Sequence, residues 1–331
     1  MDTRISVIIP NYNGGRTIGQ CLEAVFASDF SRFEVIVVDD CSDDGSVGII
    51  GRFPCRLIQL GIRSGASKAR NEGARQSRGE ILFFIDADCL VMPHTLSVVD
   101  ATITGHEKTV YGGTYTPLPH DTDFYSRFQS VFINYSETRK AEPDYIASHA
   151  MVIERGLFLE HNGFPEVFLP IIEDVEFSHR LRRAGVRLRM KPEIQVRHIF
   201  HFTFRRSMRN AFRKSLFWTI YSMQSRGMTS DSGTASVELK LNVMSWFAAV
   251  CLLLLFAATG NRICIPAAGL VLLLNLAFNR GFLKAMLRAR GFGFASAGVF
   301  YYSLVYPAAV AAGGLSGLLR YYTTDREGRE G

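Results

Sequence analysis

The chain alternates short, continuous apolar runs with stretches whose apolar residues recur at helical spacing. Ile5–Pro10, Glu34–Asp40 and Ile81–Ile85 read as strands buried on both faces, and Arg56–Leu60 as a shorter one. Pro10 and the turn-forming Asn11–Gly15 stop the first strand. Between the strands, Ile18, Cys21, Leu22, Val25 and Phe26 mark one face of a helix. Ser64–Arg78 is a second helix, with Gly65, Ala66, Ala69, Gly73 and Ala74 set among Lys68, Arg70 and Arg75. Strands alternating with helices predict an α/β fold with a doubly wound, mostly parallel sheet.

Further along, Thr109–Tyr115 reads as an edge or crossing strand, with Gly112-Gly113 at a close approach. Phe124, Tyr125, Phe128, Phe132 and Tyr135 recur at helical spacing within Pro117–Lys140, more as a core helix than as a membrane- or acceptor-facing flank. Ser148–Ile153 is a strand, and Ile171–Gly185 a helix opened by acids and stopped by Gly185. A strand and turn over Val186–Pro192 leads to Val196-Arg-His198.

From residue 200 the pattern changes. Phe200–Tyr221 interleaves aromatics with Arg205, Arg206, Arg209, Arg213 and Lys214, as expected of an amphipathic helix in a headgroup layer. Val243–Thr259, Cys264–Phe278 and Ala295–Leu319 are uncharged apolar runs near bilayer length, which predicts about three transmembrane helices. The second is short and holds Pro266 and Asn275, so a tilted or re-entrant course is open to it. Lys284, Arg288 and two further arginines in Arg280–Arg290, against Arg262 alone in the preceding connection, place the first domain and that loop on the cytosolic side. The tail Arg320–Gly331 then lies outside. These shifts divide the chain into 1–200, a juxtamembrane segment 201–240 and a transmembrane region 241–331.

Composition agrees with a globular domain joined to a membrane part: 331 residues, 47% hydrophobic, at a mean hydropathy of +0.09. The net charge of +6 sits around Arg180–Arg189, Arg205–Arg213 and the apolar segments, which fits an anionic membrane face and no nucleic acid. Six cysteines without CxxC spacing read as reduced thiols, not a disulfide frame or a zinc site. Met1–Arg4 leads directly into the first strand with no secretory leader, so the first domain is expected in the cytoplasm.

The chemistry gathers where apolar strands end in acids. Ile81–Ile85 runs into Asp86 and Asp88, and Glu34–Val38 into Asp39 and Asp40, at the edge where open α/β sheets place ligands. Two desolvated carboxylates need a positive partner, and a divalent cation carrying a diphosphate supplies one. A bare Asp-x-Asp is short and common, and alone reads as a solvated strand end. Asp40 or Asp39 can accept a hydrogen bond from a base N–H. Pro10 and Tyr12 can wall a base or ribose, and Arg70 can pair with the diphosphate or the base.

Val7-Ile-Ile-Pro-x-Tyr-Asn13, Val35-Ile-Val-Val-Asp-Asp-x-Ser-x-Asp-Gly-Ser46, Ala69-Arg-Asn-x-Gly73 and Asp86-Ala-Asp88 occur in this order. Together they resemble the large family 2 of inverting glycosyltransferases with the GT-A fold, over roughly the first 200 residues. The resemblance implies a nucleotide-sugar site at the strand ends with a bound Mg²⁺ or Mn²⁺. It further implies that Asp86 lies near the ribose, that Asp88 binds the metal, and that His198 falls where related enzymes place a metal-binding imidazole. Glu173-Asp174, before an Arg/Leu helix and Ala-Gly, matches the acidic pair supplying the general base, assigned to Asp174 with Glu173 beside it.

The expectation is a membrane-anchored, metal-dependent, inverting glycosyltransferase at an inner (plasma) membrane, multi-pass, with its catalytic domain cytoplasmic. It would move one sugar from a nucleotide-diphosphate donor to a lipid-linked or saccharide hydroxyl, the anchor confining the acceptor search to the membrane plane. A polyprenyl-phosphate acceptor, which needs no base, and a non-catalytic membrane scaffold remain as alternatives. A processive synthase fits less well, because Arg209–Trp218 does not reproduce the Gln/Arg-x-x-Arg-Trp signature. A nucleotidyltransferase would need a Gly-rich basic loop that Asn11–Arg16 does not supply.

Overall fold

The computed structural model describes residues 3–105, 108–167, 169, 171–225 and 231–327. In chain order the elements are β1 (Ile5–Asn11), α1 (Ile18–Phe26), β2 (Phe33–Asp39), α2 (Ser46–Ile50), β3 (Arg56–Gln59), α3 (Ala66–Gln76), β4 (Ile81–Ile85), β5 (Cys89–Val91), α4 (Thr95–Thr102) and β6 (Thr109–Tyr115). There follow α5 (Phe124–Thr138), β7 (Ala150–Glu154), α6 (Arg155–Glu160), α7 (Glu173–Arg183), β8 (Arg187–His198), α8 (Phe204–Gln224), α9 (Val237–Thr259), α10 (Cys264–Phe278), α11 (Arg280–Phe300), a π-helical turn (Tyr301–Val305) and α12 (Tyr306–Glu327). They form two compact units, Met1–Thr122 with Glu137–His201, and Asp123–Ser136 with Phe202–Gly331.

The first unit is built on an eight-stranded sheet of order β3-β2-β1-β4-β7-β6-β8-β5. β3, β2, β1 and β4 are parallel, and the apolar runs of β1, β2 and β4 are buried on both faces, as the sequence pattern requires. Beyond β4 the sheet is mixed, with β7 antiparallel to β4 and β6, β6 parallel to β8, and β5 antiparallel to β8. β6 therefore lies inside the sheet between β7 and β8, not at its edge. Its glycines explain why: a Cβ on Gly112 would strike Ile146 and Met190, and one on Gly113 the carbonyl of Ile194.

The strand and turn read over Val186–Pro192 and the separate Val196–His198 are one strand, β8. Pro192 is tolerated because it sits in a bulge, where pairing moves from Gly112↔Met190 to Thr114↔Gln195. The short β5 and α4 carried no sequence signal of their own. β5 is held by pairing Cys89 with His198 and Val91 with Val196.

The second unit is helical. Within it, Phe128 and Phe132 of α5 pack edge-on against Phe282 of α11, so this stretch is a core helix. α9 and the helical stretch Arg280–Thr323 are long and apolar enough to cross a bilayer, and α10, at 15 residues, is shorter. Two long helices and a short one thus stand where the sequence predicts about three spans. The basic stretch Arg280–Arg290, expected as a loop, is helical, and Arg290 and Gly291 at its end leave helical geometry inside α11. Asn275 of α10 donates to Asn242 of α9 at 2.7 Å and is bonded in turn by Asn279, so its amide is satisfied within the helical unit. Residues 328–331, the end of the tail read as lying outside, fall beyond the described residues.

α8 leaves Arg205, Arg206, Arg209, Arg213 and Lys214 at least partly exposed, as an amphipathic helix should. Its other side packs closely on α12, where a Cβ on Gly313 would meet the carbonyl of Phe212 and one on Gly317 would come within 2.5 Å of that of Leu216. Ser215 donates to the carbonyl of Val310 at 2.7 Å across the same seam. Gly317→Leu should force the two helices apart and cost about 1–3 kcal/mol, read as a lower thermal midpoint of the detergent-solubilised protein. An unchanged midpoint would refute the close approach.

Candidate active site

The carboxyl ends of β1, β2 and β4 and the starts of α3 and α7 bring most of the sequence-predicted residues to one edge of the sheet. Asp39 and Asn11 are register partners on β2 and β1. Asp39 accepts from the Asn11 side chain at 2.7 Å, from the Ser42 hydroxyl at 2.6 Å and from the Ser42 amide at 3.0 Å. Asp40 accepts the backbone amides of Ser64 and Gly65 at 2.6 and 2.8 Å, which ties β2 to the start of α3. Both carboxylates are thus engaged within the chain, though a carboxylate has acceptor positions beyond these.

Pro10 is half-buried, and Tyr12 stands exposed at the rim. The Arg63 guanidinium lies 4.0 Å from the centre of the Tyr12 ring, covering the face expected from the sequence to take a base or ribose. Arg63 was invisible in the sequence, because only the capping of α3 by Asp40 brings its loop to the end of β1.

Arg70 is the centre of the edge. Its side chain is 5% exposed, donating at 2.7 Å to Asp86 and at 2.9 Å to Glu173. The sequence pattern aims this guanidinium at a phosphate or base; the structure shows it joining α3, the end of β4 and the start of α7. Burial works against its charge, but Asp86 and Glu173 outweigh burial and bind its proton more tightly than usual. For Asp86 burial again opposes ionisation, and the charge of Arg70, then of His149, holds its carboxyl below the ordinary value.

Asp174, in the first turn of α7, accepts the amides of Ser148 at 3.1 Å and Val175 at 2.9 Å. Burial and then the neighbouring Glu173 push its carboxyl up to about 6. The residue before the pair, Ile172, has φ +87°, a left-handed conformation that costs a β-branched residue about 1–3 kcal/mol. Backbone strain is therefore stored next to the acids.

Asp88 and His198 meet through the sheet. Because β5 pairs Cys89 with His198, the imidazole Nε2 comes 3.3 Å from Asp88 Oδ1. Phe200 stacks on the ring at 3.9 Å, and Tyr115 meets it edge-on. Burial pushes the Asp88 carboxyl up, against the charge of His198 and with that of Asp86. Cys89 Sγ lies in the same group, the three ligand atoms being within 4.8 Å of one another. Burial first, then Asp88 and Asp86, drive its thiol well above the ordinary value, and a neutral thiol is a poor ligand. The carboxylate and imidazole fit a divalent cation that takes its remaining ligands from phosphate and water.

His149 and Glu137 also reach this edge, and neither stands out in the sequence. The only signal is a polar residue inside the apolar run Ser148–Ile153.

With this geometry, the relationship to known proteins is direct. Residues 6–159 match the model of Glycosyl transferase family 2. The chain carries a glycosyltransferase family 2 domain. Glycosyltransferase AglE of Haloferax volcanii is 39% identical over 193 residues, 56% of this chain and 63% of the relative. The poly(ribitol-phosphate) beta-N-acetylglucosaminyltransferase TarS of Staphylococcus aureus is 36% identical over 114 residues, 32% of this chain and 20% of the relative. The chain thus spans less than two thirds of the length of either relative. The mannosyltransferase PcManGT from Pyrobaculum calidifontis, solved in complex with GDP-Man and Mn²⁺, superposes on 96% of this chain and 88% of its own with TM-score 0.59 at 17% identity. The glycosyltransferase domain therefore has the GT-A fold.

Arg70→Ala would leave Asp86 and Glu173 without their cation, and is expected to cost about 3 kcal/mol of stability, measured by denaturation of the purified protein. Arg70→Lys should restore only part of that, since one ammonium cannot reproduce a fork spanning two carboxylates. A loss below about 1 kcal/mol in the alanine variant would mean that solvent already screens these acids.

Proposed function

We propose that this chain is a membrane-anchored, metal-dependent, inverting glycosyltransferase that moves a single sugar from a nucleotide-diphosphate donor to a hydroxyl of a lipid-linked or saccharide acceptor. The observation that carries the reading is the convergence of Asp88 and His198 with the Arg70-bridged acids Asp86 and Glu173, and with Asp174, on one sheet edge.

In this reading Pro10 and Tyr12 wall the base and Asp39 and Asp40 face its polar edge, while Asp86 faces the ribose. Arg63, now on the Tyr12 ring, moves aside or closes over the base. Asp88 and His198 hold the cation, which when bound supplies Lewis-acid stabilisation of the departing diphosphate. An imidazole ligand favours Mn²⁺ over the harder Mg²⁺, and the Pyrobaculum fold relative carries Mn²⁺ with its nucleotide-sugar.

Asp174 takes the proton of the acceptor hydroxyl as its oxygen attacks the anomeric carbon, from the face opposite the diphosphate. The C–O bond to the diphosphate breaks as the new one forms, and the nucleoside diphosphate leaves with the electron pair. A base with its proton affinity raised to about 6 is stronger than an ordinary carboxylate yet ionised at pH 7. A phosphate acceptor needs no such base, so a raised carboxyl at this place favours the hydroxyl over a polyprenyl phosphate. The apolar helices α9 and Arg280–Thr323 support the anchor, and the basic side of α8 supports a contact with anionic headgroups.

The first experiment is a titration of UDP-, GDP- and dTDP-sugars into the detergent-solubilised protein, with and without Mn²⁺. Metal-dependent binding of one nucleotide supports the reading, and no binding of any favours the scaffold. Asp88→Asn should abolish the metal-dependent part of binding, and donor affinity equal to wild type would refute its role. Asp174→Asn should leave binding intact and lower turnover by about 10²-fold or more. In the wild type, turnover should fall as pH drops through about 6, because protonation of Asp174 removes the base; a profile flat to about pH 5 would exclude it.

A further inference from the structure

The proposed transfer leaves one buried pair of titratable groups unused. Glu137, at the end of α5, and His149, just before β7, are each 8% exposed. His149 Nε2 lies 3.5 Å from Glu137 Oε2, the range of an ion pair more than of a short hydrogen bond. The Thr114 hydroxyl donates to the same Glu137 oxygen at 2.8 Å. The Tyr115 ring stacks on the imidazole at 4.0 Å and 26°. Packing alone does not account for Glu137, because a buried carboxylate needs more than a hydroxyl donor to offset its lost hydration. A cation meets that need, and His149 is the titratable group beside it.

The backbone brings that cation to the edge that carries the acids. β4 and β7 pair antiparallel up to Ile85↔Ala150, and Asp86 and His149 are the next residues of the chain at that same end of the pair. One residue earlier, the amide of Ser148 binds Asp174. We propose that Glu137 and His149 form a positioning pair, an acid holding an imidazolium beside Asp86 and Asp174, which keeps Asp174 able to take the acceptor's proton. The proposal rests on the reading of Asp174 as the base.

The charged groups facing each partner set the balance. His149 is faced by Glu137 from α5, by Asp86 and Asp88 from beyond β4, and by Asp174 from α7. Burial opposes its charge, and Glu137, then Asp86 and Asp174, outweigh burial and raise its proton affinity. Asp174 is faced by Glu173 within α7, by Arg70 from α3 and by His149, the last two favouring its ionised form. By linkage, the coupling of His149 to Asp174 has the same size seen from either group.

That reciprocity gives a test needing neither acceptor nor donor. In full-length protein carrying ¹⁵N-histidine, in detergent with Mg²⁺, the ring signals of the eight histidines are followed between about pH 5 and 9. The signal missing in His149→Gln is that of His149. Its midpoint should lie above the ordinary histidine value. It should fall by about one pH unit or more in Glu137→Gln and by a smaller, resolvable amount in Asp174→Asn. The other ring signals report that each variant is folded.

A midpoint unmoved in either variant, or an imidazole neutral throughout, would overturn the proposal. Transfer retained by Asp174→Asn would instead remove the base assignment, whatever the histidine signal shows, so the two failures are separate. In activity, His149→Gln should carry the acidic limb of turnover upward by the same amount as Asp174→Asn lowers the histidine midpoint, at unchanged donor affinity. A uniform loss of turnover with an unmoved limb would make the pair a packing element only.

Discussion

The first unit depends on the compensation of converging carboxylates by one guanidinium. Asp86 follows β4, Glu173 and Asp174 open α7, and all three come to one partly buried edge. Without Arg70 this arrangement is electrostatically prohibitive, because taking an ion out of water costs several kcal/mol and like charges add to it. The fork of Arg70 resolves the problem in one residue, and its planar geometry reaches acids from two elements far apart in sequence. Asp174 is the acid that the fork does not bond, and its proton affinity rises. The bridge therefore sorts the acids: Asp86 and Glu173 are bonded by the guanidinium, and Asp174 is not.

Much of this is legible in the sequence. The strands β1, β2 and β4 end in Asn or acids because each crosses the interior as an unbroken apolar run, and a run can end in charge only where the interior ends. Their order places Asp39, Asp40, Asp86 and Asp88 on one edge from local pattern alone. The acidic start and Gly185 stop of α7 are equally local.

What the sequence hides depends on pairing between distant strands. β5 has three residues and exists only because β8 offers it an edge, so a family pattern could suggest the meeting of Asp88 with His198 but local periodicity could not. β6 is expected as an edge or crossing strand with its two adjacent glycines at a close approach. In the fold they are the reason it fits inside. Arg70 reads as a ligand-facing cation because its helix looks basic; its burial follows from the small residues around it. Ala69, Gly73 and Ala74 share the buried face with it, and a Cβ on Gly73 would press on Ile8 and Val38. They let α3 sink onto the sheet and carry Arg70 with it. His149 sits within an apparently apolar strand, and nothing near it in sequence announces the acid that faces it.

The bulge in β8 has a consequence for how this sequence can change. Between Met190 and Gln195 the strand advances five residues while its partner, from Gly112 to Thr114, advances two, an odd number against an even one. Strand side chains alternate between faces, so the parity of Lys191–Ile194 decides which way everything after it points. Deleting a single residue there, far from any charge in the site, would turn His198 to the opposite face of the sheet and bring Ile199 in its place. Most connecting segments of a fold tolerate changes of length, but here length itself carries chemical information. Over evolutionary time the exposed Pro192 and Glu193 should accept substitutions, and the stretch single-residue insertions or deletions hardly at all.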